Sequence, residues 1–170
     1  MAERDETTQK SALKWITQGA VKHNLPYQIV GGLAAMAHGG SRPLHDIDLY
    51  MPFGDPSWPN FFREIEAYVT WGPASVVEGA WDLTYVKINY DGQKIEIGAS
   101  ENLKIRDCQT GTWINQRIDF DSSVSRMILG CQIDVMPVDQ LIAYKKLLGR
   151  DVDKQDVQEL TCERRQLTGQ

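Results

Sequence analysis

Residues 27–51 read YQIVGGLAAMAHGGSRPLHDIDLYM, and their order decides the fold. Tyr27 to Val30 is a short β-prone run that stops at Gly31-Gly32, and Leu33 to Ala37 reads as a short helix. Gly39 to Pro43 must then be a loop, and Asp46 to Met51 a second strand that Pro52 closes. Side chains alternate along a strand, so Asp46 and Asp48 share one face while Ile47 and Leu49 share the other.

Working outward, Thr7 or Thr8 can cap a first helix running to about His23, with Leu13, Ile16, Ala20 and Val21 at helical spacing on one side. Downstream, Trp58 to Tyr68 reads as an amphipathic helix and Leu83 to Tyr90 as a strand. Asp91-Gly92 predicts a two-residue hairpin turn pairing Tyr90 with Gln93, Ile88 with Ile95, Lys87 with Glu96 and Val86 with Ile97. That register puts Val86, Ile88, Ile95 and Ile97 on one face and Lys87 and Glu96 on the other. Trp113 to Phe120 and Arg126 to Val135 read as further strands or extended loops. Pro137 precedes a helix from about Val138 to Leu148, and a last helix runs from Val152 to about Arg164.

The chain has 170 residues, 42% hydrophobic and 24% charged, which fits one soluble domain over residues 1–170. Its formal net charge of -5 argues against general nucleic-acid binding. The first ten residues lack an apolar segment of the signal-peptide kind, and the apolar run Ile29 to Ala37 is too short to span a bilayer. A cytoplasmic location with no membrane partner is expected. Cys108, Cys131 and Cys162 read as reduced thiols, and neither they nor His23, His38 and His45 have metal-ligand spacing.

The chemistry-bearing residues admit two readings each. Asp46 and Asp48 on one face invite a hard divalent cation such as Mg²⁺, or else form a solvated strand edge that caps turns. Gly31-Gly32 between strand and helix lets backbone N–H groups approach a phosphate closely, or merely permits tight packing. The Arg42 guanidinium, in the loop before the aspartates, can meet triphosphate oxygens in a fork, or be solvated. Glu96 can join Asp46 and Asp48 if its strand neighbours theirs, or pair across the hairpin with Lys87. Three carboxylates around Mg²⁺ supply what in-line nucleotidyl transfer requires, including a base for the acceptor's proton.

The succession of strand, Gly31-Gly32, short helix, Arg42, Asp46-x-Asp48 and later strand carboxylate resembles the nucleotidyltransferase superfamily related to DNA polymerase β. Within it, the chain is similar to small bacterial aminoglycoside and lincosamide nucleotidyltransferases and to the AbiE-type toxin. The resemblance covers about residues 10–100, and a helical extension over about 138–165 adds Lys145, Arg150, Asp153 and Asp156. It implies an α/β (α+β) domain with a mixed sheet flanked by helices and a C-terminal helical pair. It also implies Mg²⁺-dependent transfer of a nucleoside monophosphate from an NTP, with ATP expected, to a hydroxyl acceptor.

In that implied reading Asp46, Asp48 and Glu96 are catalytic and ligate metal, while Gly31, Gly32, Arg42, Lys145 and Arg150 bind nucleotide or phosphate. Lys145 and Arg150 equally fit a role in holding the helices together. His45 departs from the residue types frequent before the aspartate pair, and nothing after residue 100 identifies an acceptor. An antibiotic, a tRNA end, a protein side chain or a small metabolite all remain open. The competing expectation is a nucleotide-binding or toxin–antitoxin partner protein that keeps the fold with little turnover.

Overall fold

Helix α1 (Glu6–Lys22) buries Ala12, Leu13, Ile16, Thr17 and Ala20 along one stripe, as its apolar spacing requires. The structure is a computed structural model that describes residues 6–169. Two expectations for this helix need correction. Thr7 and Thr8 lie inside it and not at a cap, and Val21 faces solvent at 66% exposure, one step off the buried stripe.

Strand β1 (Gln28–Val30) runs straight into helix α2 (Gly31–Ala37), and β2 (Ile47–Met51) returns antiparallel to β1 with Val30 opposite Asp48. Asp46 therefore sits immediately before the strand and not within it. Helix α3 (Trp58–Ile65) ends one turn earlier than the pattern predicts, because Glu66–Tyr68 tightens into a 3₁₀ turn. Strands β3 (Val69–Glu78), β4 (Trp81–Tyr90) and β5 (Gln93–Ala99) follow as a continuous meander. Short strands β6 (Lys104–Arg106) and β7 (Trp113–Asn115) come next. The run Arg126 to Val135 is not one strand but part of a hairpin, β8 (Val124–Ile128) and β9 (Cys131–Val135), which turns at Leu129-Gly130 with both residues at positive φ. Helices α4 (Val138–Leu148) and α5 (Asp151–Leu167) close the chain.

Among the described residues the strands form one mixed sheet in the order β7-β6-β4-β5-β2-β1-β9-β8, with β3 paired to β4. The β4–β5 hairpin has the predicted register, Tyr90 opposite Gln93 and Lys87 opposite Glu96. Asp91 and Gly92 both take positive φ, as a two-residue turn of primed type demands. Val86, Ile88, Ile95 and Ile97 are at most 1% exposed and form the sheet's inner face with Ile29, Ile47 and Leu49. Full burial of each such side chain contributes about 1.5–3 kcal/mol, which pins the alternation and so the direction of the polar face. Among the described residues no helix is long and apolar enough to cross a membrane.

Candidate active site

The two halves of the predicted constellation meet because β2 and β5 are neighbours. They run parallel, with Asp48 opposite Glu96, so both carboxylates project from the same face of the sheet. On the other side of Asp48 lies Gly31, which takes a left-handed φ of +62°. A Cβ on Gly31 would sit 2.7 Å from Asp48 Oδ2, so only glycine lets the start of α2 come this close to the carboxylate. Gly31, Gly32, Asp46, Asp48 and Glu96 all line one cleft of about 590 Å³.

The carboxylates share that cleft without converging on a point. Lys94, two residues before Glu96 on the same strand face, places Nζ 3.1 Å from Glu96 Oε1 and 3.5 Å from Asp46 Oδ2. Among the described residues no three carboxylate, His or Cys side chains are gathered tightly enough to hold a metal ion. The donor set nonetheless fits a hard cation by its chemistry, since it is all oxygen and its three carboxylates outweigh the Lys94 ammonium. Burial, then the neighbouring Glu96 and Asp46, push the Asp48 carboxyl up to about 7 from an ordinary 3.8. Lys87, the expected cross-strand partner of Glu96, instead lies over the rings of Trp71 and Tyr85, 5.5 and 5.6 Å from their centroids.

Helices α4 and α5 bring the cations. Arg42 Nε and Nη2 each donate to Asp156 at 2.6 Å, and Lys145 Nζ reaches the same carboxylate at 2.8 Å. Lys145 is only 2% exposed and also lies 3.6 Å from Asp153, so it is an interior residue and not a solvated helix lysine. Burial works against the charge of Asp156, yet the hydrogen bonds from Arg42 and Lys145 hold its carboxyl below the usual range. Arg150 donates from Nε to Asp153 at 2.7 Å and packs its guanidinium over Trp81, 5.1 Å from the ring. Arg42, Lys145 and Arg150 line the same cleft as the carboxylates, so all eight residues expected at the site are there. Three cations stand against Asp153 and Asp156, leaving the wall of the cleft net positive.

Other contributors were not legible in the sequence. The β3–β4 hairpin supplies a whole wall, but Gly72-Pro73 interrupts the β-branched run of β3 and hides it. Lys94 is a further contributor, and its i,i+2 spacing from Glu96 is the signal that puts it on the same strand face. Gly98 matters by what it lacks: a Cβ there would lie 2.6 Å from the Tyr50 ring, which occupies the space above β5.

No protein-family model matches the chain, and no curated protein matches it in sequence. Solved structures do. A candidate nucleotidyltransferase of Thermotoga maritima superposes with a TM-score of 0.67 at 19% identity, over 94% of this chain and 92% of that one. ANT(2'')-Ia in complex with adenylyl-2''-tobramycin gives a TM-score of 0.59 at 17% identity, over 92% and 89% of the two chains. The lincosamide antibiotic adenylyltransferase LnuA, lincomycin-bound, gives 0.57 at 12% identity, over 89% and 95%. The fold is that of a nucleotidyltransferase. The mixed sheet and the C-terminal helical pair expected from the resemblance are both present, and the nucleotidyltransferase fold extends over the described chain well beyond residues 10–100.

Proposed function

We propose that this chain is a nucleotidyltransferase that moves a nucleoside monophosphate from an NTP, with ATP as the donor, to an acceptor hydroxyl and releases pyrophosphate. The observation that carries the reading is the register of Asp48 with Glu96 while Gly31 abuts the other side of Asp48. Phosphate cradle, carboxylate and candidate base thus stand side by side on one face.

In this mechanism the backbone N–H groups of Gly31 and Gly32 hold phosphate oxygens, with the Arg42 guanidinium 3.8 Å from where a Gly32 Cβ would be. Lys145 and Arg150 extend the positive wall that retains the triphosphate. A Mg²⁺ held by Asp46, Asp48 and Glu96 would supply neutralisation of the triphosphate and a lower pKa for the acceptor hydroxyl. Glu96 takes the hydroxyl proton. The oxygen then forms a bond to the α-phosphorus as the bond from that phosphorus to the pyrophosphate oxygen breaks, and pyrophosphate leaves with the electron pair.

The test is calorimetric binding of α,β-methylene-ATP with and without Mg²⁺, followed by transfer of α-labelled ATP across a panel of hydroxyl compounds. Mg²⁺-dependent binding and labelled product are expected. A wild-type protein that binds no ATP analogue in either condition sinks the reading.

A further inference from the structure

Asp46 stands apart from the other two carboxylates in how it is held. Asp48 and Glu96 lie on paired strands, but the ladder between β2 and β5 starts only at Ile47 with Ile95, and residues 43–46 belong to neither helix nor strand. A buried side chain takes over where the ladder stops. Gln93 is fully buried on the core face of β5, in line with Ile95 and Ile97, and lies two positions ahead of the first ladder pair, as His45 does on the approach to β2. Its Nε2 donates to the His45 carbonyl and to the Lys94 carbonyl, at 2.9 Å in each case. Both partners are carbonyls, which only accept, so this orientation of the amide is the one that bonds. Gln93 Oε1 is then left buried without a partner, which makes a glutamine costly where an apolar side chain of the same shape would fit.

Resting on the nucleotidyl-transfer reading, we propose that Gln93 is a positioning residue that sets Asp46 as a metal ligand. The peptide unit from His45 to Asp46 is planar, so a bond to the His45 carbonyl oxygen orients the plane that also contains the Asp46 nitrogen and Cα. From the other side, the strand ladder fixes Ile47. Asp46 is therefore held between a side-chain tether and the first rung, and its carboxylate leaves the backbone in a direction that β5 dictates. The same strand carries Glu96, so one element places both. Gln93 does not line the cleft; it acts through the backbone. Mg²⁺ demands near-ideal octahedral ligand placement, whereas Ca²⁺ accepts a larger and looser oxygen shell. Loss of the tether should accordingly be felt most by the smaller ion. The protein carries its own matched control. Gln28 on β1 is equally buried, its Nε2 donates to Asp119 O at 3.1 Å and to Ser123 Oγ at 2.9 Å, and its Oε1 is also buried without a partner. It holds the segment 119–123, however, and lies outside the cleft.

Gln93→Met and Gln28→Met, compared as full chains, test this. Methionine fills nearly the same volume without a donor, and each variant loses one such amide from the interior. Hydrogen–deuterium exchange over residues 41–50 should quicken in Gln93→Met and stay at the wild-type rate in Gln28→Met. In calorimetry, Gln93→Met should bind Mg²⁺ roughly tenfold more weakly than the wild type and Ca²⁺ within about threefold of it. Gln28→Met should match the wild type for both ions. Gln93→Asn, which draws the amide back by one methylene, reads the same quantities if the methionine variant does not fold. Unchanged exchange over residues 41–50, unchanged Mg²⁺ affinity, an equal loss of both ions, or the same Mg²⁺ loss in Gln28→Met each overturns the role of Gln93 alone. A wild-type chain that binds neither Mg²⁺ nor α,β-methylene-ATP instead defeats the nucleotidyl-transfer reading, and this role of Gln93 with it.

Discussion

The guanidinium of Arg42 donates two hydrogen bonds of 2.6 Å to the carboxylate of Asp156, 114 positions further along the chain. The loop that leads into Asp46 and Asp48 is thereby tied to helix α5. The same carboxylate compensates Lys145, whose side chain is 2% exposed. Removing one partner from a buried ionic cluster leaves the others uncompensated, which costs more than the pair itself contributes.

Asp156→Ala is accordingly expected to lose about 3–5 kcal/mol in urea denaturation, because Lys145 keeps only Asp153 at 3.6 Å. Asp156→Asn should lose less, since the amide oxygen still accepts one hydrogen bond. A loss below about 1 kcal/mol in the alanine variant would mean that the cluster is solvated and holds nothing.

Asp48→Asn should separate stability from turnover. An acid whose folded pKa is raised binds more protons folded than unfolded between the two values. Its contribution is therefore complete below an ordinary 3.8 and is lost as pH climbs to about 7. The loss in EDTA amounts to at most on the order of 4 kcal/mol, reduced by whatever water enters the cleft. The nearly isosteric amide removes that slope, so the variant should melt higher than wild type at pH 8 in EDTA. Label transfer in Mg²⁺ should fall roughly a hundredfold or more. Parallel melting curves for the two proteins from pH 4 to pH 8 would show that Asp48 ionises freely.

Gly31→Ala introduces a Cβ 2.7 Å from Asp48 Oδ2 at a backbone φ of +62°. Strain and contact act together, and a loss of about 1–3 kcal/mol is expected by chemical denaturation. Binding of α,β-methylene-ATP should weaken in the same variant. Wild-type values for both would show that the approach of α2 to Asp48 is relaxed.

Lys94→Met removes the ammonium that spans Asp46 and Glu96. On the proposed mechanism that ammonium competes with the divalent ion for two of its three ligands. Mn²⁺ titrated by calorimetry should then bind more tightly to the variant than to the wild type, and the apparent affinity of the variant, whose site carries more negative charge, should depend more steeply on salt. Weaker Mn²⁺ binding in the variant would mean that Lys94 organises the carboxylates and does not occupy their place.

What was legible in the sequence was local or periodic. The strand, glycines, short helix and aspartate strand of residues 27–51 follow from turn chemistry and alternation. The Asp91-Gly92 hairpin follows from the positive φ that only such a pair adopts readily. Lys87 and Glu96 therefore came out in register, because a hairpin's turn sets its pairing. Strand β3 did not, since Gly72-Pro73 breaks the pattern that would have announced it.

Tertiary structure alone decided which strands lie side by side. Nothing in residues 46–48 and 93–99 says that β2 and β5 pair parallel, and the meeting of Asp48 with Glu96 depends on that. Nor could charge pattern tell that Lys145 lies inside the molecule on the same carboxylate as Arg42, because a lysine three residues from a helix end is usually solvated. Turn type and side-chain period are properties of a few consecutive residues, and the chain carries them in order. Strand neighbours and ion-pair partners here are separated by 48 and 114 positions. Their choice is settled by how the apolar faces of the whole sheet and its helices close over one core.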